Sequence, residues 1–180
     1  MTKITAGVDE VGRGSLIGPV YAAAVILSKT INKKFLKDSK CLKKNKRDYL
    51  ANYIKKNSIW AIGKATQEEI ERLNILNASL LAMKRAIKKL RKKPNLVLID
   101  GNKLPKMKNY KLKSIIGGDK KIPAISAASI IAKVTRDKMI IKLGKKFRGY
   151  NWDKNFGYGT KNHLKAIRNI GITIHHRRTY

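Results

Sequence analysis

The sequence predicts an α/β domain in which helices pack on both sides of a mixed β-sheet. Short apolar segments that end at glycine or acidic residues predict five strands. Longer segments with apolar residues every three or four positions predict the helices. With 180 residues, of which 43% are hydrophobic, the chain is long enough to bury one core. We therefore expect a single domain that covers residues 1–180.

The predicted strands are short apolar runs bounded by turn residues. They cover residues 4–8, 20–27, 59–65, 95–99 and 111–116. A glycine-rich turn joins the first two strands, which predicts that they pair antiparallel. The long helix between the third and fourth strands allows a parallel crossover.

The predicted helices are placed by their caps and by apolar periodicity. Thr66 followed by Glu69 forms a capping box at the start of the longest amphipathic segment. Thr160 and Gly171 have the residue types expected at the start and end of the last helix. Helices are expected over residues 40–55, from Thr66 to the turn before Pro94, and over residues 126–143 and 160–169.

The charge balance indicates a polyanionic partner. Lys and Arg number 42 against 11 Asp and Glu, which gives a formal net charge of +31. Nucleic acid fits this excess better than an acidic membrane surface does. Cys41 is the single cysteine, so no internal disulfide or cysteine-based zinc site is expected. The longest apolar run, residues 20–27, is too short to span a membrane, and the opening residues lack a signal-peptide pattern. We expect a cytoplasmic protein.

Acidic residues are rare, and four of them follow predicted strands. Asp9 and Glu10 end the first strand, Asp100 ends the fourth, and Asp119 follows the fifth. The carboxyl edge of an α/β sheet commonly binds ligands. Clustered carboxylates facing a polyanion suit divalent cations that bridge them to phosphate oxygens. The alternative is that these residues only cap turns, since Asp-Gly is a common turn pair.

Asp9 and Glu10 raise a geometric difficulty for a shared metal site. Adjacent residues of a strand point to opposite faces of the sheet. We therefore expect the first strand to break at Glu10, and the glycines at positions 12 and 14 permit such a break.

Several separated motifs in the same order resemble the ribonuclease HII family, the type 2 ribonucleases H. They are GVDEVGRG at residues 7–14, GPV at 18–20, DSK at 38–40, LIDG at 98–101, GD at 118–119, SAASIIAKVTRD at 126–137, GYGT at 157–160 and HRR at 176–178. The resemblance covers nearly the whole chain. It implies an RNase H-like fold, with a mixed five-stranded sheet flanked by helices.

The resemblance also implies a metal-dependent endoribonuclease. Asp9, Glu10, Asp100 and Asp119 fall on the family's catalytic and metal-binding positions, with Mg²⁺ or Mn²⁺ as the cofactor and two ions when substrate is bound. Asp137 is a rival for the fourth position. It lies well inside a predicted helix, and we interpret it as part of a structural ion pair beside Arg136.

The implied substrates are RNA–DNA hybrids and duplex DNA that contains ribonucleotides. Cleavage is expected 5′ to the ribonucleotide at an RNA–DNA junction, leaving 3′-hydroxyl and 5′-phosphate ends. By resemblance, Gly12, Arg13 and Gly14 read the 2′-hydroxyl and Tyr158 packs on the next deoxyribose. Phosphate contacts are expected at Ser39, Lys40 and Lys133.

These assignments have structural alternatives. The Gly12–Gly14 segment is also a plausible tight turn, Tyr158 a loop anchor, and any single lysine a solvated charge. A non-catalytic basic nucleic-acid binder would explain the net charge equally well, but it would not explain acidic residues at the strand ends. Another nuclease or recombinase of the same fold is a third reading, which the G-R-G turn and Tyr158 disfavour. We expect a monomer and no membrane partner.

Overall fold

The computed structural model describes residues 3–36 and 43–179, which form one mixed five-stranded sheet with helices on both faces. The strand order is β3-β2-β1-β4-β5. The strands are β1 (Thr5–Val11), β2 (Val20–Ile26), β3 (Ile59–Ala65), β4 (Leu96–Asp100) and β5 (Leu112–Ile115). The α/β class and all five predicted strands are therefore confirmed.

The pairing of the strands brings four carboxyl ends to one edge, those of β1, β3, β4 and β5. β1 and β2 pair antiparallel, as predicted, and so do β2 and β3. β1 pairs parallel with β4, and β4 pairs parallel with β5. The third and fourth strands therefore run in the same direction, although β2 and β1 lie between them. The residues that end β1, β4 and β5 therefore lie at the same edge of the sheet, where α/β proteins commonly bind ligands.

Six helices surround this sheet in the described residues. They are α1 (Lys44–Asn57), α2 (Gln67–Lys88), α3 (Gly118–Lys121), α4 (Pro123–Lys146), α5 (Trp152–Asn155) and α6 (Lys161–Ile170). Small residues in the middle strands let the helices pack closely, and β2 carries three consecutive buried alanines. One core lies between the sheet and α2, and a second lies between the sheet, α1 and α4.

A third apolar cluster fixes the C-terminal part of the chain beside the sheet. The fully buried Trp152 packs with Tyr150 and Ile140, and its ring stacks on Tyr150 with centroids 4.9 Å apart. This cluster holds α5 and α6 against the end of α4. As a result, the loop between α5 and α6 is anchored next to the carboxyl edge of β1.

The structure corrects several predicted boundaries. β1 continues to Val11, and α4 begins three residues before the predicted start because Pro123 is accepted in the first turn of a helix. α2 is interrupted at Asn74, which has φ 64° and ψ 165°. The start of the predicted helix at residues 40–42 lies outside the described residues. The short helices α3 and α5 and a 3₁₀ turn over Lys33–Leu36 were not predicted.

No helix within residues 3–36 and 43–179 combines the length and apolar character that a bilayer span requires.

Candidate active site

The register of the parallel strands brings Asp9 and Asp100 together. Val8 of β1 pairs with Ile99 of β4. Asp9 and Asp100 occupy the next position on each strand, at the carboxyl edge of the sheet. The parallel pairing of β1 with β4 therefore explains why these two carboxylates, which are distant in the sequence, come together as predicted.

Asp9 and Glu10 lie on opposite faces of β1, and the strand does not break between them. Gly7 lies against the backbone of α4, and two residues later Asp9 accepts a hydrogen bond from Ser129 of that helix. Glu10 lies on the other face, beside α2 residues that include Met83. The ladder to β2 continues through Val11. The expected break at Glu10 is therefore wrong.

Both carboxylates nevertheless border one pocket, because β1 extends beyond the last residue of β4. Past that point both faces of β1 are open at the sheet edge, so side chains from either face can reach the same space. The residues around this pocket are Asp9, Glu10, Val11, Arg47, Asp100, Ser129, Ile130, Lys133 and Tyr158. Three of the four predicted acids thus meet two of the predicted substrate-binding residues.

The pocket is electrostatically unfavourable for its own carboxylates. The pKa of Asp9 is raised from 3.8 to about 8, first by burial and then by the nearby charges of Glu10 and Asp100. Burial also raises the pKa of Glu10, while the guanidinium of Arg13 opposes that rise. A cation bound between these groups would remove the repulsion, which is the usual reason for clustering carboxylates.

Protein donors orient the acids. The backbone N–H of Glu10 donates to Asp9 Oδ1 at 2.8 Å, and the backbone N–H of Gly118 donates to Asp100 Oδ1 at 2.7 Å. Arg13 Nη1 donates to Glu10 Oε1 at 3.4 Å. These bonds fix one oxygen of each carboxylate and direct the rest of the group towards the pocket.

Asp119, the fourth predicted acid, is buried at the start of α3 and is not among the pocket residues. The preceding residue, Gly118, donates its backbone N–H to Asp100, so Asp119 directly follows a residue that is bonded to the acidic edge. Gly117 adopts a left-handed conformation with φ 63°, which turns the chain from β5 into α3. The placement is adjacent to the pocket rather than within it.

The donor set suits a hydrated hard cation better than a closed metal cage. Within residues 3–36 and 43–179, no three His, Cys, Asp or Glu side chains are arranged to enclose a metal ion. Mg²⁺ characteristically retains several waters and uses only one or two carboxylates together with substrate phosphates. The oxygen chemistry of Asp9, Glu10 and Asp100 fits that mode of binding.

Two cations that line the same pocket share one carboxylate. Lys133 Nζ lies 3.0 Å from Asp137 Oδ1, and Arg47 Nη2 lies 3.9 Å from Asp137 Oδ2. Asp137 therefore forms the predicted structural ion pair, but with Lys133 and Arg47 rather than beside Arg136. Lys133 also lies 5.4 Å from the ring centre of Tyr158. This arrangement presents positive charge next to the acids.

The glycine turn after β1 is held by the C-terminal segment. Arg177 Nη2 donates to the carbonyl of Gly12 at 2.7 Å, and Nη1 donates to the carbonyl of Arg13 at 2.9 Å. Gly12 is buried with φ 93°, whereas Arg13 and Gly14 are exposed beside the acids. The exposed part of the turn is thus available to a ligand. The predicted phosphate contacts Ser39 and Lys40 lie outside the described residues.

Tyr158 lies directly beside that turn. An isolated antiparallel bridge pairs Ser15 with Tyr158, and the backbone N–H of Leu16 donates to the carbonyl of Gly157 at 2.8 Å. His163 is fully buried, and its Nδ1 lies 3.0 Å from the carbonyl oxygen of Tyr158. His163 is therefore a helix residue that supports the loop.

Sequence reasoning missed three residues of this site. Ser129 and Arg47 border the pocket, and Arg177 holds the turn. Ser129 and Arg177 each lie within one of the family motifs, but a motif does not show which of its side chains faces a ligand. Arg47 had no sequence signal, since it is one of many basic residues in a polar helix.

A sheet of order β3-β2-β1-β4-β5, with carboxylates clustered at the β1–β4 edge, has the architecture of the RNase H-like fold. A family model described as Ribonuclease HII matches residues 6–180. The ribonuclease HII of Pelagibacter ubique (strain HTCC1062) is 72% identical over 178 residues, covering 99% of this chain and 96% of the relative. That of Roseobacter denitrificans (strain ATCC 33942 / OCh 114) is 48% identical, covering 97% and 88%. The chain belongs to the ribonuclease HII family, whose members are endoribonuclease hydrolases.

Solved structures agree with this fold. The ribonuclease H2 from Pyrococcus horikoshii OT3 superposes with a TM-score of 0.82 at 26% identity, covering 98% of this chain and 93% of that one. The ribonuclease HII of Archaeoglobus fulgidus, in its complex with PCNA, gives 0.76 at 25% identity, covering 98% and 95%. Bst-RNase HIII in complex with Mn²⁺ gives 0.71 at 19% identity, covering 94% and 63%, which supports the fold alone.

Proposed function

We propose that this chain is a single catalytic domain that uses divalent cations to cut the RNA strand of RNA–DNA hybrids and ribonucleotides embedded in duplex DNA. At an RNA–DNA junction, cleavage takes place 5′ to the ribonucleotide and leaves 3′-hydroxyl and 5′-phosphate ends. Asp9, Glu10, Asp100 and Asp119 hold Mg²⁺ or Mn²⁺, with two ions in the substrate complex. The convergence of three of these acids with Lys133 and Tyr158 on one pocket carries the proposal.

The acids have the chemistry that phosphodiester hydrolysis requires. Bound divalent ions activate a water and stabilise the leaving oxygen in such reactions. Asp9 and Asp100 approach from neighbouring strands, and Glu10 approaches from the opposite face of β1, so oxygen ligands surround the pocket on more than one side. Ser129 and the backbone N–H of Glu10 hold the Asp9 carboxylate in place for this role.

The cations next to the acids suit a phosphate backbone. Lys133 and Arg47 are both paired with Asp137, which fixes them at the rim of the pocket. A lysine acts as a point charge towards phosphate, while an arginine can bind two oxygens at once. We infer that this pair holds a phosphate of the substrate strand beside the acidic edge.

Two elements support discrimination between ribose and deoxyribose. The Gly12–Gly14 turn exposes backbone groups next to Glu10, where they could bond to a 2′-hydroxyl, the group that separates RNA from DNA. Tyr158 presents its ring to the same pocket from the neighbouring loop. Together they would test one sugar for a 2′-hydroxyl and the next sugar for its absence.

Product mapping on a duplex DNA with one internal ribonucleotide tests this proposal. With Mg²⁺ or Mn²⁺ we expect one cut, 5′ to the ribonucleotide, and no cut in EDTA. Asp9→Asn should abolish cleavage while leaving duplex binding intact. Binding without cleavage in either metal would instead support a non-catalytic nucleic-acid binder and would defeat the proposal.

A second comparison tests the role of Tyr158. Tyr158→Ala should reduce junction cleavage by about 10-fold or more, because the lost burial of a large apolar side chain corresponds to about 1.5–3 kcal/mol. Asp48→Ala, which changes a residue of α1 outside the pocket, serves as the control. Equal activity of the two variants would show that Tyr158 has no role in substrate recognition.

A further inference from the structure

Arg136 lies beneath the junction between the glycine turn and the Tyr158 loop. It belongs to α4, and its side chain is fully buried. We infer that Arg136 is a positioning residue that fixes the distance between the turn that reads ribose and the tyrosine that meets the next sugar. This inference rests on the proposed function of those two elements.

The guanidinium of Arg136 bonds to both elements at once. Nη2 donates to Ser15 Oγ at 2.5 Å, and Nη1 donates to the carbonyl of Phe156 at 3.1 Å. The same group lies 5.3 Å from the ring centre of Tyr158. One rigid planar group therefore connects the residue after the turn with the residue two positions before the tyrosine, and it also supports the tyrosine ring.

The first glycine of the turn is shaped by this arginine. A Cβ placed on Gly12 would lie 2.4 Å from Arg136 Nε, and the residue has φ 93°. The absent side chain of Gly12 thus makes room for Arg136. The backbone of the turn rests on the guanidinium, so a change in the arginine is transmitted to the turn without contact with substrate.

Ser15 completes the link. It is fully buried, and its hydroxyl lies within hydrogen-bond distance of the carbonyl of Gly157 at 3.0 Å as well as of Arg136. Its backbone also forms the bridge to Tyr158. The side chains of Arg136 and Ser15 therefore add to this backbone bridge, and together they hold the turn and the loop in one arrangement.

Stability alone does not explain a buried arginine at this position. Removing a charged group from water is costly, and well-packed apolar residues often give equal or greater stability. The bonds of Arg136 described here go to neutral oxygens, the Ser15 hydroxyl and the Phe156 carbonyl. The planar fork of arginine can hold two acceptors in fixed directions, which the single ammonium of lysine cannot do.

The consequence is a specific loss of selectivity. Junction cleavage needs the turn and Tyr158 to contact adjacent nucleotides at the same time. Cleavage within a uniform RNA–DNA hybrid does not need a deoxyribose at the next position. Loosening the link should therefore reduce junction cleavage more than hybrid cleavage.

The test compares kcat/KM on two substrates, a duplex DNA with one ribonucleotide and a hybrid with a continuous RNA strand. We expect the ratio of junction to hybrid cleavage to fall at least 10-fold in Arg136→Lys and about 3-fold in Ser15→Ala. Arg85→Lys is the control. Arg85 bonds to Glu69 and to the carbonyl of Lys64, so this variant loses guanidinium bonds that involve neither the turn nor the Tyr158 loop.

Melting temperatures separate folding from positioning. Arg85→Lys should lower the melting temperature while the wild-type ratio is kept. If Arg136→Lys does not fold, Ser15→Ala decides the outcome. A wild-type ratio in the folded Arg136→Lys and Ser15→Ala proteins would overturn the inference, as would an equal fall of the ratio in Arg85→Lys. A wild-type chain that cuts neither substrate would instead reject the proposed function, and the inference with it.

Discussion

Gly7→Ala should inactivate the enzyme although residue 7 lies two positions before the first acid. A Cβ on residue 7 would lie 2.1 Å from the carbonyl carbon of Ala124, whereas ordinary contact begins at 3.4 Å. The backbones of β1 and α4 must therefore separate by the difference, about 1.3 Å. α4 carries Ser129 and Lys133, so this shift moves one wall of the pocket away from the acids.

Two effects of known size follow from this separation. Overpacking a core costs about 1–3 kcal/mol of unfolding free energy. A misplacement of about 1 Å in an active site can reduce the rate by about 100-fold. We expect Gly7→Ala to fold with reduced stability and to lose about 100-fold in junction cleavage, measured by single-turnover kinetics and by urea denaturation.

Gly63→Ala is the matched control. A Cβ there would lie 2.0 Å from the carbonyl oxygen of Ala82 in α2, which is a clash of the same severity at a different helix. It should cost similar stability but reduce the rate by less than 10-fold. Equal rate losses in the two variants, or a nearly wild-type rate for Gly7→Ala, would refute the claim that β1–α4 spacing sets the site.

Three further predictions concern pH, salt and charge. In metal-free buffer, Asp9→Asn should raise the free energy of unfolding, and this gain should grow from pH 4 to pH 8. The reason is that the folded-state pKa of Asp9 is raised from 3.8 to about 8, so the buried carboxyl group resists ionisation. A gain that does not change with pH in urea denaturation would contradict this. Burial lowers the pKa of His176 from 6.5 to about 4. The neutral form therefore stabilises the fold above pH 6.5, and this contribution is lost as the pH falls towards 4. His176→Gln should make the free energy of unfolding fall less steeply over this range, and an unchanged fall would contradict the assignment. Duplex affinity measured by fluorescence anisotropy should fall by at least about 100-fold between 50 and 200 mM salt, because phosphate contacts release counterions. An affinity that does not change with salt would contradict an electrostatic role for the net charge.

The sequence was sufficient for the fold class and for the edge on which the acids lie. Apolar runs that stop at Asp9, Asp100 and the glycines before Asp119 locate the ends of strands, and strand ends in a mixed sheet are few. The cellular location and the monomeric state remain predictions. So do the individual roles of the four acids.

The sequence was insufficient where the outcome depends on three-dimensional packing. Strand alternation alone led to the expectation of a break at Glu10, because the extension of β1 past the end of β4 depends on register. The same limit applies to the pairing of Asp137 with Arg47, which comes from another helix, whereas Lys133 lies one turn earlier on the same helix. The kink at Asn74 follows no local rule, since its dihedral angles are unusual for a residue other than glycine.

In the proposed site, carboxylates from both faces of β1 and Asp100 hold divalent cations together. Anomalous diffraction from crystals soaked in Mn²⁺, with a duplex containing one ribonucleotide bound, tests this most directly. We predict manganese between Asp9, Glu10 and Asp100, next to the phosphate 5′ to the ribonucleotide, and no such peak for Asp9→Asn. Manganese bound elsewhere, or retained unchanged in Asp9→Asn, would contradict the account.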